Sequence, residues 1–412
     1  MGVLPPLQYM VHKNIPNLPY LHRIRYNPDF AIYRPMNKST INDQLTGIEF
    51  QRYSRQLALS EVGIDGQMRL KKAKVLCIGA GGLASPALLY LAAAGVGTLG
   101  VVEDDQVELS NLQRQILYTA NDVGSHKGQC AKKHLNSLNP GIKINLYPHR
   151  LSKDNAIDIL SPYDIILDCT DNFHSRFLIN DACFYLNKPD IYASILRFEG
   201  QCTVFSPPIN PCYRCLFKTA PPPELVPNCA EAGVIGALPG LLGAIQAMEV
   251  IKLILQQGSS LIGRLLIIDV LTMRFRELTI SKNPDCPLCV HKIPFTLLDM
   301  PERKNDASLA VSVNEISVHD LLSLQQRKEK IFLLDVREPY EYKICNLGGC
   351  LIPLKELSER INELDVKQHI VVYCKTGGRS KKAVAFLKTR GFSKVSSLKG
   401  GILKWIQEID SK

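Results

Sequence analysis

The sequence predicts two α/β units in one chain: one built on a parallel sheet, then a second, smaller α/β domain. Three observations predict it. Residues 74–102 read as strand, glycine-rich turn, helix and strand, a βαβ unit that implies parallel pairing. A further apolar strand, 163–169 (YDIILDC), ends in polar residues. After a charged, aperiodic stretch at 300–312 (MPERKNDASLAVS), strands and helices alternate again over about 100 residues.

Residues 1–45 read as an extension, because Pro5, Pro6, Pro16, Pro19, Pro28 and Pro35 interrupt every periodic pattern. Lys74–Gly79 (KVLCIG) is a buried strand by its continuous apolar run. Residues 84–94 (ASPALLYLAAA) form a helix with Pro86 in its first turn, and Leu99–Val102 is the next strand. Residues 236–255 alternate Gly with apolar residues and then read as a helix. The first domain is placed at 46–295, a linker at 296–312 and the second domain at 313–412. Within the second, Ile331–Val336 and Ile370–Cys374 are strands and Arg379–Lys388 is a helix.

Composition bounds the function. The 412 residues are 46% apolar and 21% charged, which excludes collagen, coiled coil and wholesale disorder. Thirteen Cys are too sparse for a disulfide scaffold in a chain of this length. The longest uncharged run, Val75–Val102, holds six glycines and Pro86, so no membrane span is expected. No basic-then-apolar signal layout opens the sequence, so a cytoplasmic location is expected, or an organelle stroma if the extension is a targeting segment. The net charge is +10, but it is uneven. Residues 313–412 carry 18 Lys+Arg against 12 Asp+Glu, and residues 1–46 carry 5 against 2. No basic stripe crosses the protein, and no nucleic-acid partner is expected.

The first candidate site is Gly79-Ala80-Gly81-Gly82-Leu83-Ala84, between strand and helix. Glycines let backbone approach phosphates, and N–H groups at a helix N-terminus stabilise anions. Glu103, ending the next strand, could hold ribose hydroxyls. A P-loop is excluded, because no Lys-Ser/Thr follows the glycines. Alone, this pattern fits a nicotinamide cofactor equally well. Its surroundings favour nucleotidyl transfer: Arg52–Gln56 (RYSRQ), Ser110–Gln115 (SNLQRQ), Lys127, and Asp168–Asn172 (DCTDN). Arg and Lys neutralise charge developing on phosphates, and an Asp can hold a bridging Mg²⁺.

On these motifs residues 49–295, about 60% of the chain, resemble the ThiF/MoeB family of adenylating enzymes, related to the ubiquitin-activating enzymes. The resemblance implies a Rossmann-like doubly wound domain, usually a homodimer. It implies adenylation, with ATP, of the C-terminal Gly-Gly carboxylate of a ubiquitin-like sulfur carrier of the MoaD/ThiS kind. Carried over by motif, Gly82, Glu103, Ser110, Asn111, Leu112, Gln113, Arg114, Lys127, Asp171 and Asn172 would contact ATP, with Asp171 on Mg²⁺. Arg55 would reach the ATP of the neighbouring subunit. The family usually has Asp where this chain has Glu103, and commonly Gly where it has Ala84.

Cys212-Tyr213-Arg214-Cys215 and Cys286-Pro287-Leu288-Cys289 are two C-x₂-C pairs. Four thiolates suit a structural tetrahedral Zn²⁺ with no open position, redox pairs being the alternative. The resemblance supports zinc at Cys212, Cys215, Cys286 and Cys289. Cys229 sits in a polar loop after Pro221-Pro222-Pro223. In the related family this position holds a loop Cys that attacks the acyl-adenylate or takes part in thiocarboxylate release.

The second candidate site is Cys374-Lys375-Thr376-Gly377-Gly378-Arg379-Ser380, between a strand and a helix. There backbone N–H groups, the helix dipole, Lys375 and Arg379 would favour a thiolate or a persulfide anion. Cys-based phosphatases use a similar loop, so charge alone leaves phosphate and sulfur both open. Residues 313–410 resemble a rhodanese domain, through Leu334–Glu338 (LDVRE), Glu341-Tyr342, the six-residue loop from Cys374, and Leu398–Trp405. The family's Gly-His-Ile-Pro-Gly stretch is altered here to Cys345-Asn346-Leu347-Gly348-Gly349. The joined units resemble MoeB–rhodanese fusions. That implies adenylation helped by Arg114 and Lys127, then sulfur transfer from a Cys374 persulfide, directly or after Cys229 has formed an acyl intermediate. Thiosulfate or a cysteine desulfurase would supply the sulfur. Molybdopterin synthesis is the expected pathway, with thiamin, cysteine or tRNA thiolation as alternatives. A nicotinamide-dependent oxidoreductase with an appended sulfurtransferase and a non-catalytic adaptor remain the competing readings.

Overall fold

The computed structural model describes residues 44–218, 233–295 and 313–410. Nearly all of the expected extension, the loop cysteine Cys229 and the expected linker 296–312 lie outside the described residues. The chain divides into two compact units, largely the residues up to Pro284 and those from Asp285 onward.

The first unit is built on an eight-stranded sheet: β1 (Lys74–Ile78), β2 (Thr98–Val102), β3 (Lys143–Tyr147), β4 (Ile165–Asp168), β5 (Asp190–Leu196), β6 (Glu199–Phe205), β7 (Arg264–Asp269) and β8 (Arg274–Thr279). The spatial order is β3-β2-β1-β4-β5-β6-β7-β8. β1 to β5 pair in parallel. β5 to β8 pair antiparallel, so the sheet is mixed rather than wholly parallel. For the β5–β6 pair the cause is connection length. Two residues, Arg197 and Phe198, join β5 to β6, and Arg197 takes a left-handed φ of 57°. A parallel crossover needs a dozen residues or more, so so short a link dictates a hairpin.

Helix α1 (Ala84–Ala94) follows β1. Its Ala and Leu residues favour helix, Pro86 falls in the first turn where its missing N–H is not required, and Gly95 ends it at φ 84°. The uncharged run Val75–Val102 is thus spent on β1, the glycine turn, α1 and β2. Helices α2 (Lys127–Leu138) and α4 (Ala237–Leu255) complete the unit's main elements, and helix α3 (Phe173–Leu186), which follows β4, belongs only in part to it. α4 is long and apolar enough to cross a membrane by length and composition. It packs on α1, β5 and β6 and carries the buried polar residues Gln246 and Glu249. Gln246 donates to the carbonyls of Asp168 and Ile191, and Glu249 accepts from Leu261 N–H. These are the satisfied polar groups of a helix inside a protein core.

The second unit has five strands, β9 (Glu315–Ile316), β10 (Ile331–Asp335), β11 (Cys350–Leu351), β12 (His369–Tyr373) and β13 (Val395–Leu398), all parallel, in the order β11-β10-β12-β13-β9. One apolar cluster holds Leu334, Val372, Val384 and Leu387; another holds Val371, Tyr373, Leu398 and Trp405. Alternate residues of central β12 divide between the two, as expected of a sheet covered on both faces.

Candidate functional site

The first sheet reverses direction beside β1: the chain runs outward through β2 and β3, then returns to place β4 on the other side of β1. Ligands of open α/β sheets bind outside the strand ends at such a switch point. The glycine turn leaves β1 there, and Asp168–Asn172 leave β4. Gly79 has φ 89°, and a Cβ on it would stand 3.1 Å from the Cys169 carbonyl oxygen. Only glycine fits that turn. No side chain caps the N-terminus of α1, although Ser85 N–H is bonded to the Gly81 carbonyl and Pro86 has no N–H, so any anion there would be met by the N–H groups of the glycine turn and Ala84.

Segment 110–118 wraps the turn. Arg114 packs where a Cβ on Gly82 would lie, with its Cγ 3.5 Å away, and Arg114 Nη1 donates to the Ser110 carbonyl. Asn111 is buried and its Oδ1 accepts from Glu108 N–H, which shapes the segment. Leu112 is half-buried, and Ser110 and Gln113 are exposed. Tyr118 Oη donates to the Ala80 carbonyl at 2.7 Å, and burial, then the Glu103 charge, push its phenol up, so it stays protonated. Glu103 ends β2 and accepts from Ala80 N–H at 2.7 Å and Asp105 N–H at 2.9 Å. The expected ribose acid therefore also holds the glycine turn. Lys127, the first residue of α2, is 6% exposed, and its Nζ donates to Asp105 at 3.2 Å. Asp171 is exposed beyond β4, while Asn172 Oδ1 accepts from Ser175 N–H at the start of α3. Arg55 lies exposed on the short helix Ser54–Leu57 and makes no hydrogen bond or ion pair with any described residue of this crevice.

The four cysteines of the two C-x₂-C pairs come together, with all four sulfurs within 4.8 Å of one another and Cys212 Sγ 3.9 Å from Cys215 Sγ. All four carry thiols rather than disulfides. Tetrahedral Zn–S bonds of about 2.3 Å place sulfurs about 3.8 Å apart, so the donor set and its spacing fit zinc.

In the second unit, Cys374 follows the end of central β12 and is 1% exposed. Its Sγ accepts from Gly377 N–H at 3.2 Å and Ser380 N–H at 3.4 Å, and lies 3.6 Å from Ser380 Oγ. Gly377 has φ 103° and opens helix α5 (Gly378–Thr389). Such a cradle stabilises a sulfur anion through backbone dipoles. The turn at Gly400–Gly401 closes over the loop, with Ile402 N–H donating to the Cys374 carbonyl and Leu403 N–H to that of Lys375. Asp335 and Arg337 form a buried ion pair, and Arg337 also stacks over the Tyr373 ring. Tyr373 Oη accepts from Leu347 N–H and donates to the Gly348 carbonyl. Asn346 bonds to the Tyr342 carbonyl and Gly348 N–H. These contacts close the stretch that lacks the rhodanese His.

Arg379 differs from its expected part. It makes a bidentate pair with Glu341, at 2.6 and 2.7 Å, so much of its charge is offset before it reaches the sulfur. Burial raises the Glu341 carboxyl, but bonds from Arg379 and Glu338 N–H, and the Arg379 and Arg337 charges, lower it further; the net direction is down. A carboxylate depressed in the folded state stabilises above its unfolded pKa and loses that stability as pH falls through its folded value. Glu341→Gln is therefore expected to cost about 1.5–3 kcal/mol at pH 7. The difference from wild type should shrink below about pH 4. Urea denaturation followed by the fluorescence of Trp405, the single tryptophan, reads both.

Residues 53–288, more than half of the chain, match the family model described as ThiF family. The chain belongs to the ThiF family. Residues 317–408 match the model described as Rhodanese-like domain, so this ThiF-family chain carries a rhodanese unit after its first domain. It is 42% identical over 368 residues to "Probable adenylyltransferase/sulfurtransferase MoeZ" of Mycobacterium tuberculosis, covering 88% of this chain and 94% of that protein. It is 51% identical over 246 residues to "Sulfur carrier protein adenylyltransferase" of Thermus thermophilus, covering 58% of this chain and 91% of that protein. The crystal structure of E. coli MccB matches with a TM-score of 0.53 at 22% identity, over 60% of this chain and 75% of that one, a likeness of fold. ThiF membership selects nucleotidyl transfer over the nicotinamide reading of the glycine turn.

Sequence reasoning missed Asp105, Gln115, Tyr118 and the partnership of Glu341 with Arg379. Glu341 stood inside a quoted motif and Gln115 at the end of another, so the signal was present without a role attached. Nothing in the spacing marks Tyr118, which reaches Ala80 only through the fold.

Proposed function

We propose that this ThiF-family enzyme adenylates the C-terminal Gly-Gly carboxylate of a ubiquitin-like sulfur carrier and converts it to a thiocarboxylate with sulfur carried on Cys374. The observation that carries this reading is one chain joining a ThiF-family domain to a rhodanese loop whose Cys374 sulfur rests on two backbone N–H groups. The carrier carboxylate oxygen attacks the α-phosphate of ATP, and pyrophosphate leaves. The terminal sulfur of a Cys374 persulfide then attacks the acyl carbon and AMP leaves, giving an acyl disulfide. A thiol, Cys229 or an external one, takes the inner sulfur, and thiocarboxylate departs.

Arg114 and Lys127 would stabilise charge on the transferring phosphate, and Gly82, Glu103, Ser110, Asn111, Leu112, Gln113 and Asn172 would complete the nucleotide site. Asp171 would hold Mg²⁺, which supplies further charge neutralisation when bound. Cys212, Cys215, Cys286 and Cys289 would hold a structural Zn²⁺. Cys286→Ser is expected to reduce bound zinc from about one ion per chain toward none, by elemental analysis. Retention of zinc would assign the metal elsewhere.

Exposed Leu196 and Phe198 at the β5–β6 turn, and Leu271 and Met273 at the β7–β8 turn, lie at the same end of the sheet as the glycine turn. A carrier seated there could lay its extended tail across about three strand spacings, about 14 Å, toward β4. Five extended residues span about 17 Å. Exposed Ile48, Phe50, Leu59 and Ile64 around Arg55 support a homodimer in which Arg55 serves the neighbouring subunit. Thiols rather than disulfides at the described cysteines support a reducing, cytoplasmic compartment. Molybdopterin synthesis is the proposed destination of the sulfur, and thiosulfate or a cysteine desulfurase its source.

The test mixes protein, MgATP, thiosulfate and a candidate carrier, and weighs the carrier. Replacing oxygen by sulfur adds about 16 Da. No mass gain with any ubiquitin-like carrier would sink the reading.

A further inference from the structure

Gln115 closes the SNLQRQ segment, and the Oε1 of its side chain has no hydrogen-bond partner among the described residues. The residue is 5% exposed, its Oε1 is fully buried, and its Nε2 lies 3.7 Å from where a Cβ on Gly81 would stand. Its backbone, by contrast, is fully used: Gln115 N–H donates to the Asn111 carbonyl, and its own carbonyl accepts from Tyr118 N–H. The segment is therefore well ordered around an amide whose buried Oε1 is unpaired. Buried amides are nearly always satisfied, and one that is not signals a missing partner. The amide faces the glycine turn, beneath the uncapped N-terminus of α1.

Resting on the adenylation reading above, we infer that Gln115 is a further nucleotide-binding residue, whose buried amide finds its hydrogen bonds on the polyphosphate of the bound nucleotide and that group's hydration shell. Nε2 donates to a phosphate oxygen across Gly81. Oε1 accepts from a water on the phosphates. The buried amide is pre-organised for this by Asn111 and Tyr118, so binding orders no additional side chain.

Gln115→Leu separates this role from a structural one. An amide bonded to the protein would leave the Leu variant less stable, whereas an unsatisfied amide replaced by an apolar group of similar size leaves stability equal or higher. The expected result is an unchanged or raised Tm, with affinity for a non-hydrolysable ATP analogue and Mg²⁺ lowered about tenfold by calorimetry. Gln115→Glu, nearly isosteric, is expected to bind the analogue more weakly still, because its carboxylate would face the phosphates. Wild-type affinity in either variant, or a lowered Tm in the Leu variant, overturns the inference. So does a raised KM for the carrier at unchanged analogue affinity, which would give the amide to the carrier tail. Failure of the wild-type protein itself to bind the analogue would instead overturn the adenylation reading.

Discussion

Cys374→Ala is expected to abolish thiocarboxylate formation and leave ATP–pyrophosphate exchange at the wild-type rate. The sulfur is the only polar atom of the Cys374 side chain, and Gly377 and Ser380 N–H both donate to it. Removing it leaves those dipoles without an anion and removes the one group that can carry sulfane sulfur in that cradle. In the proposed mechanism exchange depends on the glycine turn, Arg114 and Lys127, which belong to the other compact unit. Exchange with carrier and labelled pyrophosphate, run beside the mass assay, reads the two halves apart. Loss of both activities would show that the domains do not work independently.

Lys127→Ala is expected to lower pyrophosphate exchange about 10²- to 10³-fold, the usual effect of removing one pre-organised charge from a developing oxyanion. Persulfide loading of Cys374 should be untouched. Lys127 is 6% exposed while its partner carboxylate, Asp105, is mostly solvated. A buried lysine is costly unless its charge is used. Its removal leaves Asp105 in water, so Tm should change little and the rate loss reports catalysis. An unchanged exchange rate would remove Lys127 from the site. A large drop in Tm would make its role structural.

Much of this was legible because local patterns carry it. β1, the glycine turn, α1 and β2 fall at or within one residue of where the apolar run, the three glycines and Pro86 put them. Cys374 fell at the strand-to-helix turn expected of it, and the two C-x₂-C pairs proved mutual neighbours. Other features were not legible. β3 (KINLY) is short and only partly buried, so no continuous apolar run announced it. The antiparallel extension depends on two short links, β5–β6 and β7–β8, and on the return of the chain through α4 to set β7 beside β6, and β8 (RFRELT) is exposed along its whole length. Hydrophobic periodicity cannot report a strand that buries no face.

Taken alone, the sequence determined the chemistry on offer: a glycine turn suited to phosphate with basic and acidic residues nearby, four thiols in two knuckles, and one cysteine in a loop opening a helix. Those follow from residue type and short spacing, which backbone geometry converts directly into local structure. Tertiary structure decided which charges remain available. Glu341 claims Arg379 from 38 residues away, Asp105 claims Lys127, and Tyr118 and Glu103 lock Ala80. It also left the Gln115 Oε1 buried and unpaired. Partnership and burial are properties of packing between distant segments, and no local pattern in the chain encodes them.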